Sequence, residues 1–516
     1  MQAVSKKYWP LTTRGQALIL GTLLSIGLLA LLGAVIDVGY LTLQKQNLQA
    51  ALDAAALATL PKAYTENANA TTTLTSLFKD NSSDLTGNAQ LSVTYPYQNN
   101  TMELLATLIT QQKFLFNKYL QTSSHTFTIQ SHVGLKVDQS EWPYFQYDIA
   151  HSGQNKSTTF VPSLKKAWEF RALGNTRTSA IIKDGVVYFG AGTYLYAVNA
   201  ADGTEKWKYN IGTVDGCTPV YANGKIYIGT NYATDTVYCF NTLGGVAWST
   251  HLKNIGTSAP LGVDTENVYL QSSADGRLYV YDASTGQPIV PNVPLPLPAG
   301  NPSYLNQGLA GPEGTGGYSA PALYNNKVFF ATGGSGSCIA YNVGTWTKAW
   351  SLTGLAGGGV LDSPAIYDNK LYYGGTNTAF CFNPETGATL WTHTTGARVS
   401  TLAGAEGKVI VSTNGKLKAL DALSGIELWA SGANHFSLVA IANGYVYSIN
   451  SQNNRGLKVY KLSDGSEAWI GPDTIDVYLR DNAPAVGWGL VVCPGNTSKK
   501  IIAYKPTALG KAYLMP

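Results

Sequence analysis

Charge is what this 516-residue chain has least of. Asp, Glu, Lys and Arg together make up 13% of it, against about 25% for an ordinary soluble protein. The formal net charge is only +4, and no basic run or Arg/aromatic alternation is present. That excludes the electrostatic footprint of a nucleic-acid binder. Methionine is scarce, at three residues, and cysteine stands at five: Cys217, Cys239, Cys338, Cys381 and Cys493. No two cysteines are adjacent and none form Cys-x-x-Cys, so neither a zinc site nor a redox motif is indicated. The six histidines, 125, 132, 151, 251, 393 and 435, are scattered singly. No Ser/His/Asp set and no paired-carboxylate spacing stands out. What the chain does have is 32 Tyr, 54 Gly and 11 Trp, the composition of an extracellular β protein.

The tryptophans recur. Trp168, Trp207, Trp248, Trp350, Trp391, Trp429 and Trp469 lie about 40 residues apart, with Val290 in one slot and a single gap of 60 before Trp350. Ahead of each comes an inner run often holding Ser/Thr/Ala-Pro, as in Thr218-Pro219, Ala259-Pro260, Ala320-Pro321, Ser363-Pro364 and Ala483-Pro484. A tight turn follows: Asp184-Gly185, Asn223-Gly224, Asn325-Asn326, Asp368-Asn369, Glu406-Gly407, Asn443-Gly444. Then comes an aromatic strand such as Ile226-Tyr227-Ile228. Asn-Gly between such runs marks a hairpin, because a type I′ turn needs φ > 0 twice. Each unit therefore predicts a four-stranded antiparallel meander, and units of this period predict propeller blades. Eight units begin near residues 179, 217, 258, 319, 363, 402, 438 and 483. The last has no Trp after it, and Trp168 has no unit before it. Residues 166–170 are expected to supply the missing outer strand and close an eight-bladed ring. In that register Cys239, Cys338 and Cys381 fall on third strands of different blades. Cys217 and Cys239 would lie two strands apart, about 10 Å, too far for a disulfide.

These repeats, with Trp142-Pro143 and Asp148-x-x-His151-Ser152-Gly153 upstream, resemble the pyrroloquinoline-quinone (PQQ)-like repeat of eight-bladed propellers over roughly residues 141–510. That family takes in quinone-dependent alcohol dehydrogenases and the non-enzymatic outer-membrane assembly lipoprotein BamB. In the dehydrogenases the resemblance would imply a vicinal Cys–Cys pair, a Trp floor, calcium ligands and a catalytic Asp. This chain has no Cys–Cys pair and little room for the insertions that build such a pocket. The expectation is a protein that is not an enzyme and holds no cofactor or metal.

The N-terminal part is different in kind. Residues 1–16 are a polar leader with Lys6, Lys7 and Arg14. Residues 17–36 are an uncharged run of about 30 Å as a helix, the thickness of a bilayer core. The basic flank places the N-terminus in the cytoplasm and the rest outside. A cleaved signal peptide is the alternative, though no Ala-x-Ala exit follows. Helix-forming sequence continues to Pro61, so the span 17–61 reads as one rod, with Asp37 hydrated at the outer interface. Arg14-Gly15, Asp37-Val38-Gly39 and Leu48-Gln49-x-x-x-Asp53-Ala54-Ala55-Ala56-Leu57-Ala58 resemble the N-terminal domain of TadG-like proteins of Flp (tight-adherence) pilus assembly. Type IV pilins are cut after a Gly and carry Glu at the fifth mature position. Gly15 would be that cut, and Leu20 stands where the Glu belongs. This favours an uncleaved anchor over a major pilin.

Residues 62–140 predict a small α+β platform of pilin kind: helix near 71–79, strand 91–97, helix 102–120, strand 125–137. Residues 141–516 are assigned to the propeller. Sequons occur at Asn69, Asn81, Asn99, Asn155 and Asn496, as chance alone would also give. The expected binding face is the rim of loops that lead into the inner strands: Arg177, Asp215, Asp362, Arg398, His435, Arg480 and Asp481, with Tyr304 of the 291–318 insertion. Expected partners are the membrane, other pilin-like or envelope proteins, or further copies joined through the helix. The expected role is a non-catalytic binding or adhesion module of a Tad-type pilus or the envelope. A filament subunit and a quinone dehydrogenase are the alternatives.

Overall fold

The computed structural model describes residues 13–66, 68–81, 89–97, 103–115, 124–135, 138–158, 162–231, 234–252, 256–273, 276–289, 319–332, 336–355, 363–413, 415–431, 438–450, 456–476, 482–507 and 512–515. The chain divides into two compact units. Unit 1 comprises residues 1–137 and 508–516, and unit 2 comprises residues 138–507.

Unit 1 is built on one helix, α1 (Thr13–Glu66). Its side chains are open to the surroundings from Leu20 to Ile36, apart from Gly33 and Ala34. Further on, Leu48, Leu52, Ala55, Ala56, Leu60 and Ala63 recur at helical spacing and are buried. Among the described residues this is the one helix long and apolar enough to cross a membrane. It runs on past Pro61 to Glu66 rather than ending there. Proline costs a helix interior about 3 kcal/mol, and burial of Leu60 and Ala63 on either side offsets that. A second helix, α2 (Ala70–Asn81), is capped by Asn69, whose Oδ1 accepts the Thr72 N–H at 3.0 Å.

The buried stripe of α1 packs with three antiparallel strands, β1 (Gln90–Thr94), β2 (Glu103–Lys113) and β3 (Ser124–Leu135). The helix expected over 102–120 is thus a strand as far as Lys113. Leu104, Ala106, Leu108 and Thr110 alternate into the core, and this period of two prevails over the near-helical spacing of Leu104, Leu105 and Leu108. A fourth strand, Ala512–Leu514, pairs with β3. The final residues, assigned by sequence to the propeller, therefore belong to unit 1, and the propeller is an insertion between two strands of one sheet. Asp37 is another correction. It is buried, not hydrated, and its Oδ1 accepts the Leu115 N–H at 2.7 Å.

Unit 2 is a succession of antiparallel meanders. Its sheets span 180–210, 220–251, 262–282, 322–352, 365–394, 399–430, 439–470 and 485–506. The sheet over 262–282 shows three strands among the described residues. The outer strand of the last sheet is β5 (Leu164–Arg171), reached after the two-residue β4 (Gln154–Asn155); β5 pairs with Lys500–Pro506. All six tight turns named above place both central residues, or their Gly partner, at positive φ, from 45° at Asn325 to 74° at Gly224 and Gly444.

The recurrent tryptophans join neighbouring sheets. The indole N–H of Trp168 donates to Ala200 O, and those of Trp207, Trp248, Trp350, Trp391 and Trp429 to Thr242, Ala283, Pro384, Ala422 and Leu462 O, at 2.7–3.2 Å. Each acceptor lies in the turn before the next sheet's outer strand. In that turn a glycine (203, 244, 286, 387, 425 or 465) lies flat against the indole, where a Cβ would come within 2.4–2.9 Å of it. Trp469 has no such turn to meet, because β5 enters from the other end of the chain, and it packs edge-on to Tyr504 at 5.5 Å. Val290 lies outside the described residues. Trp346, φ 56°, comes back from the following sheet to pack at 6.1 Å from Tyr269 of the 262–282 sheet. Replacing Gly425 by Ala combines the φ of 72° with a contact at 2.6 Å to the Trp391 ring. The expected loss is about 1–3 kcal/mol, read as a lower denaturation midpoint with Trp391 more exposed to acrylamide. An unchanged midpoint would show that the indole seat is not close-packed.

Candidate functional site

Each inner strand begins in a loop and ends in a tight turn, so the set of sheets has a loop end and a turn end. One segment, residues 140–155, runs past the turn-end halves of the inner strands in chain order. Ile182 N–H donates to Trp142 O at 2.8 Å, Tyr221 N–H to Pro143 O at 2.9 Å, and Tyr144 Oη to Val263 O at 2.8 Å. Leu323, Ile366, Gly404 and Ile441 N–H then donate to Ile149, Ala150, Ser152 and Gly153 O at 2.8–3.0 Å. Finally the Asn155 amide donates to Val486 O at 2.7 Å. Phe145 packs with Ala320, Leu438 and Ala483 across the middle. The segment is a plug.

Its tight course uses residues in the left-handed region: Gln146, Tyr147 and His151 at φ 49°, 79° and 57°, and Gly153 at 72°. A side chain at Gly153 would strike Ala403 Cβ at 2.5 Å. Asp148 accepts both the Ser152 N–H, at 2.9 Å, and its hydroxyl, at 2.6 Å. Burial pushes the Asp148 carboxyl up, and the Ser152 bonds oppose that. His151 is buried with Nδ1 3.1 Å from Pro364 O. A carbonyl only accepts, so Nδ1 carries the proton. Burial pushes His151 down to about 4, with the Pro364 bond opposing it, so the ring is neutral at pH 7. Asp148 and Ser152 therefore form a partly buried turn, and His151 is a buried, structurally bonded ring beside it. Their motif was visible in the sequence as a family mark, but no local signal showed that it seals an end.

The loop end is built otherwise. Hydroxyls at the start of the inner strands tie neighbours together: Ser179 N–H donates to Thr218 Oγ1 at 2.9 Å, Ala320 N–H to Ser363 Oγ at 2.9 Å, and Ala483 N–H to Ser179 Oγ at 2.7 Å. The Asn482 amide bridges Thr176 O and Thr178 O, both at 3.1 Å. Of the expected rim, Arg177 and Asp215 are brought together as an ion pair at 3.2 Å, both about a third exposed. Arg398 stands half-buried in the loop before Val399. Tyr304, Asp362, His435, Arg480 and Asp481 lie outside the described residues. Sequence reasoning missed Asp476. Burial pushes its carboxyl up, but hydrogen bonds from Ser498 and Thr497 outweigh that and hold it below the usual range.

All five cysteines are free and buried. Burial pushes Cys239 to about 11 and Cys338 and Cys381 to about 12, so these thiols stay protonated and inert. Among the described residues no cluster of three His, Cys, Asp or Glu is placed to hold a metal. The sequons at Asn155 and Asn496 are buried, and Asn155 spends its amide on the plug, which leaves neither open to a glycan.

Two family models match. The one described as outer membrane protein assembly factor BamB matches residues 162–290, 305–470 and 375–508, and the Flp pilus-assembly TadE/G-like one matches 15–60. No curated protein matches the chain. Among solved structures, BamB from Moraxella catarrhalis is similar at 13% identity and TM-score 0.51, over 67% of this chain and 98% of that one. A europium-containing methanol dehydrogenase is similar at 12% and 0.57, over 71% and 98%. The quinohemoprotein alcohol dehydrogenase from Comamonas testosteroni is similar at 13% and 0.56, over 73% and 82%. At such identities the likeness is one of fold. The apolar helix and the Tad-like match together indicate a membrane-anchored envelope protein.

Proposed function

The chain belongs to the family of the outer membrane protein assembly factor BamB, and from that premise we propose that it is a non-catalytic binding module held at the cell envelope by α1. In this reading the sheets close as an eight-bladed ring displayed outside the membrane, serving a Tad-type pilus or envelope assembly. Support for closure comes from the inner strand Ala485–Gly487 lying against Ala180–Lys183, and from the Ala483 bond to Ser179. The observation that carries the function is the plug. With the turn end filled by residues 140–155, a ligand meets the ring at the loop end, where Arg177, Asp215 and Arg398 stand on a rigid scaffold. By the same reading Tyr304, Asp362, His435, Arg480 and Asp481 belong to that rim.

A photo-crosslinking residue at position 177, and another at Asp464 in a turn-end hairpin, test this in intact cells. Cross-links to an envelope or pilus component at 177 alone are expected. Equal capture at both positions, or dye-linked alcohol oxidation after loading with PQQ and calcium, would overturn the binding-module reading. A second reading, a pilin-like filament subunit, is favoured by one observation: α1 leaves most side chains from Leu20 to Ile36 open before packing with a sheet. Intact mass separates the two, since a chain cut after Gly15 supports the filament and one retaining Met1 supports the anchor.

A further inference from the structure

One polar group in unit 1 is buried where the helix around it is bare. Asp37 is 1% exposed, while Ile36 and Val38 on either side are 45% and 63% exposed. The group that covers it comes from the end of β2. The Leu115 N–H donates to Asp37 Oδ1 at 2.7 Å, so the chain just past Lys113 is pinned to α1 where the apolar run ends. Gly33 is buried as well, whereas Gly21 and Gly27 of the same run are open. Gly33 lies one turn nearer the N-terminus than Asp37, about 6 Å along the helix.

The residues at this strand end are apolar. Leu115 is 48% exposed and Phe114 is half-buried. At the edge of a bilayer that choice is natural, since apolar and aromatic side chains settle in the interface. The carboxylate fits too. An anion withdrawn from bulk water needs a donor in exchange, and a backbone N–H supplies one without adding a charge.

We propose that the end of β2 at Phe114 and Leu115 is a second membrane contact, seated in the headgroup region of the bilayer that α1 spans, with Asp37 as the latch that holds it at that depth. The occupant is a lipid surface, because the exposed Leu115, held to Asp37 where the apolar run ends, continues the exposed apolar band of α1. This rests on the reading of α1 as a membrane helix.

The test uses the full chain in phospholipid vesicles. All five native cysteines are buried, so a fluorophore sensitive to polarity can be attached at single introduced thiols: Leu115→Cys, Leu28→Cys in the apolar run, and Asp464→Cys on unit 2. Expected at position 115 are blue-shifted emission and quenching by headgroup-level spin-labelled lipid several-fold stronger than by lipid labelled at the chain end. Position 28 should be quenched most by the deeper label, and position 464 by neither. Adding Asp37→Leu should release position 115 and leave position 28 unchanged. Quenching at 28 with water-like emission at 115 overturns the proposal alone. A blue shift at 115 without lipid quenching means that protein covers it, and overturns the proposal as well. Absence of quenching at 28 removes the membrane helix itself, and the proposal with it.

Discussion

Replacing Trp142 by alanine is expected to cost the propeller about 3–5 kcal/mol, the range for emptying a large buried aromatic site. Trp142 is fully buried, exchanges two backbone hydrogen bonds with Ile182 at 2.8 and 2.9 Å, and packs edge-on to Tyr147 at 5.4 Å. It shares one buried core with Ile182, Ala440, Ala442 and Ala485, which belong to inner strands from both halves of unit 2. The loss should therefore not stay local. If the plug acts as one piece, amide exchange should quicken together at Tyr221, Leu323, Ile366, Gly404 and Ile441, whose N–H groups all donate to plug carbonyls. Hydrogen exchange on the full chain reads this directly. Faster exchange confined to Ile182 and Tyr221 would mean that each sheet holds its own stretch of the segment, and that the seal is a sum of separate contacts.

The repeat made the fold legible because its signals were local and redundant. A turn such as Asn443-Gly444 needs positive φ wherever it sits, and a Trp every 40 residues needs a seat. The glycine that provides that seat, such as Gly425 for Trp391, comes from the next unit along, so the sequence showed both partners but not that they were partners. Where a signal was weaker, tertiary context decided. Leu104, Leu105 and Leu108 fit a helix nearly as well as a strand, and the pairing of Leu108 with Ile129 on β3 selects the strand. Asp37 looked like an interfacial carboxylate because its cover, Leu115, is 78 residues away. The rim was legible only as a set of loops. Arg177 and Asp215 could be placed on one end of the ring, but their ion pair depends on the spacing of adjacent sheets, which no local pattern encodes. The plug motif hid most completely. Asp148 and Ser152 form a turn, while His151 is buried against Pro364 O, 213 residues away in the chain.

That burial gives the plug a pH dependence whose sign follows from two groups. The folded value of His151, about 4, lies below its ordinary 6.5, because burial disfavours the imidazolium. Between those values the unfolded chain binds a proton that the folded one refuses. Stability contributed by the neutral ring is present above pH 6.5 and is lost as pH falls toward 4, by about 3 kcal/mol in all. Asp148 works the other way. Its folded value is raised by burial, so its contribution is fullest below the ordinary 3.8 and declines as pH rises through the folded value. Acidification should thus weaken the ring first through His151, with Asp148 returning part of the loss near the bottom of the window. His151→Gln keeps a side-chain donor for Pro364 O without a titrating group. It is expected to flatten the fall in denaturation midpoint between pH 6.5 and 4, while Ser152→Ala, which removes one bond to Asp148, should leave that fall in place. A wild-type midpoint that holds level across the window would mean that the plug admits water to His151, and the seal at the turn end would then be open.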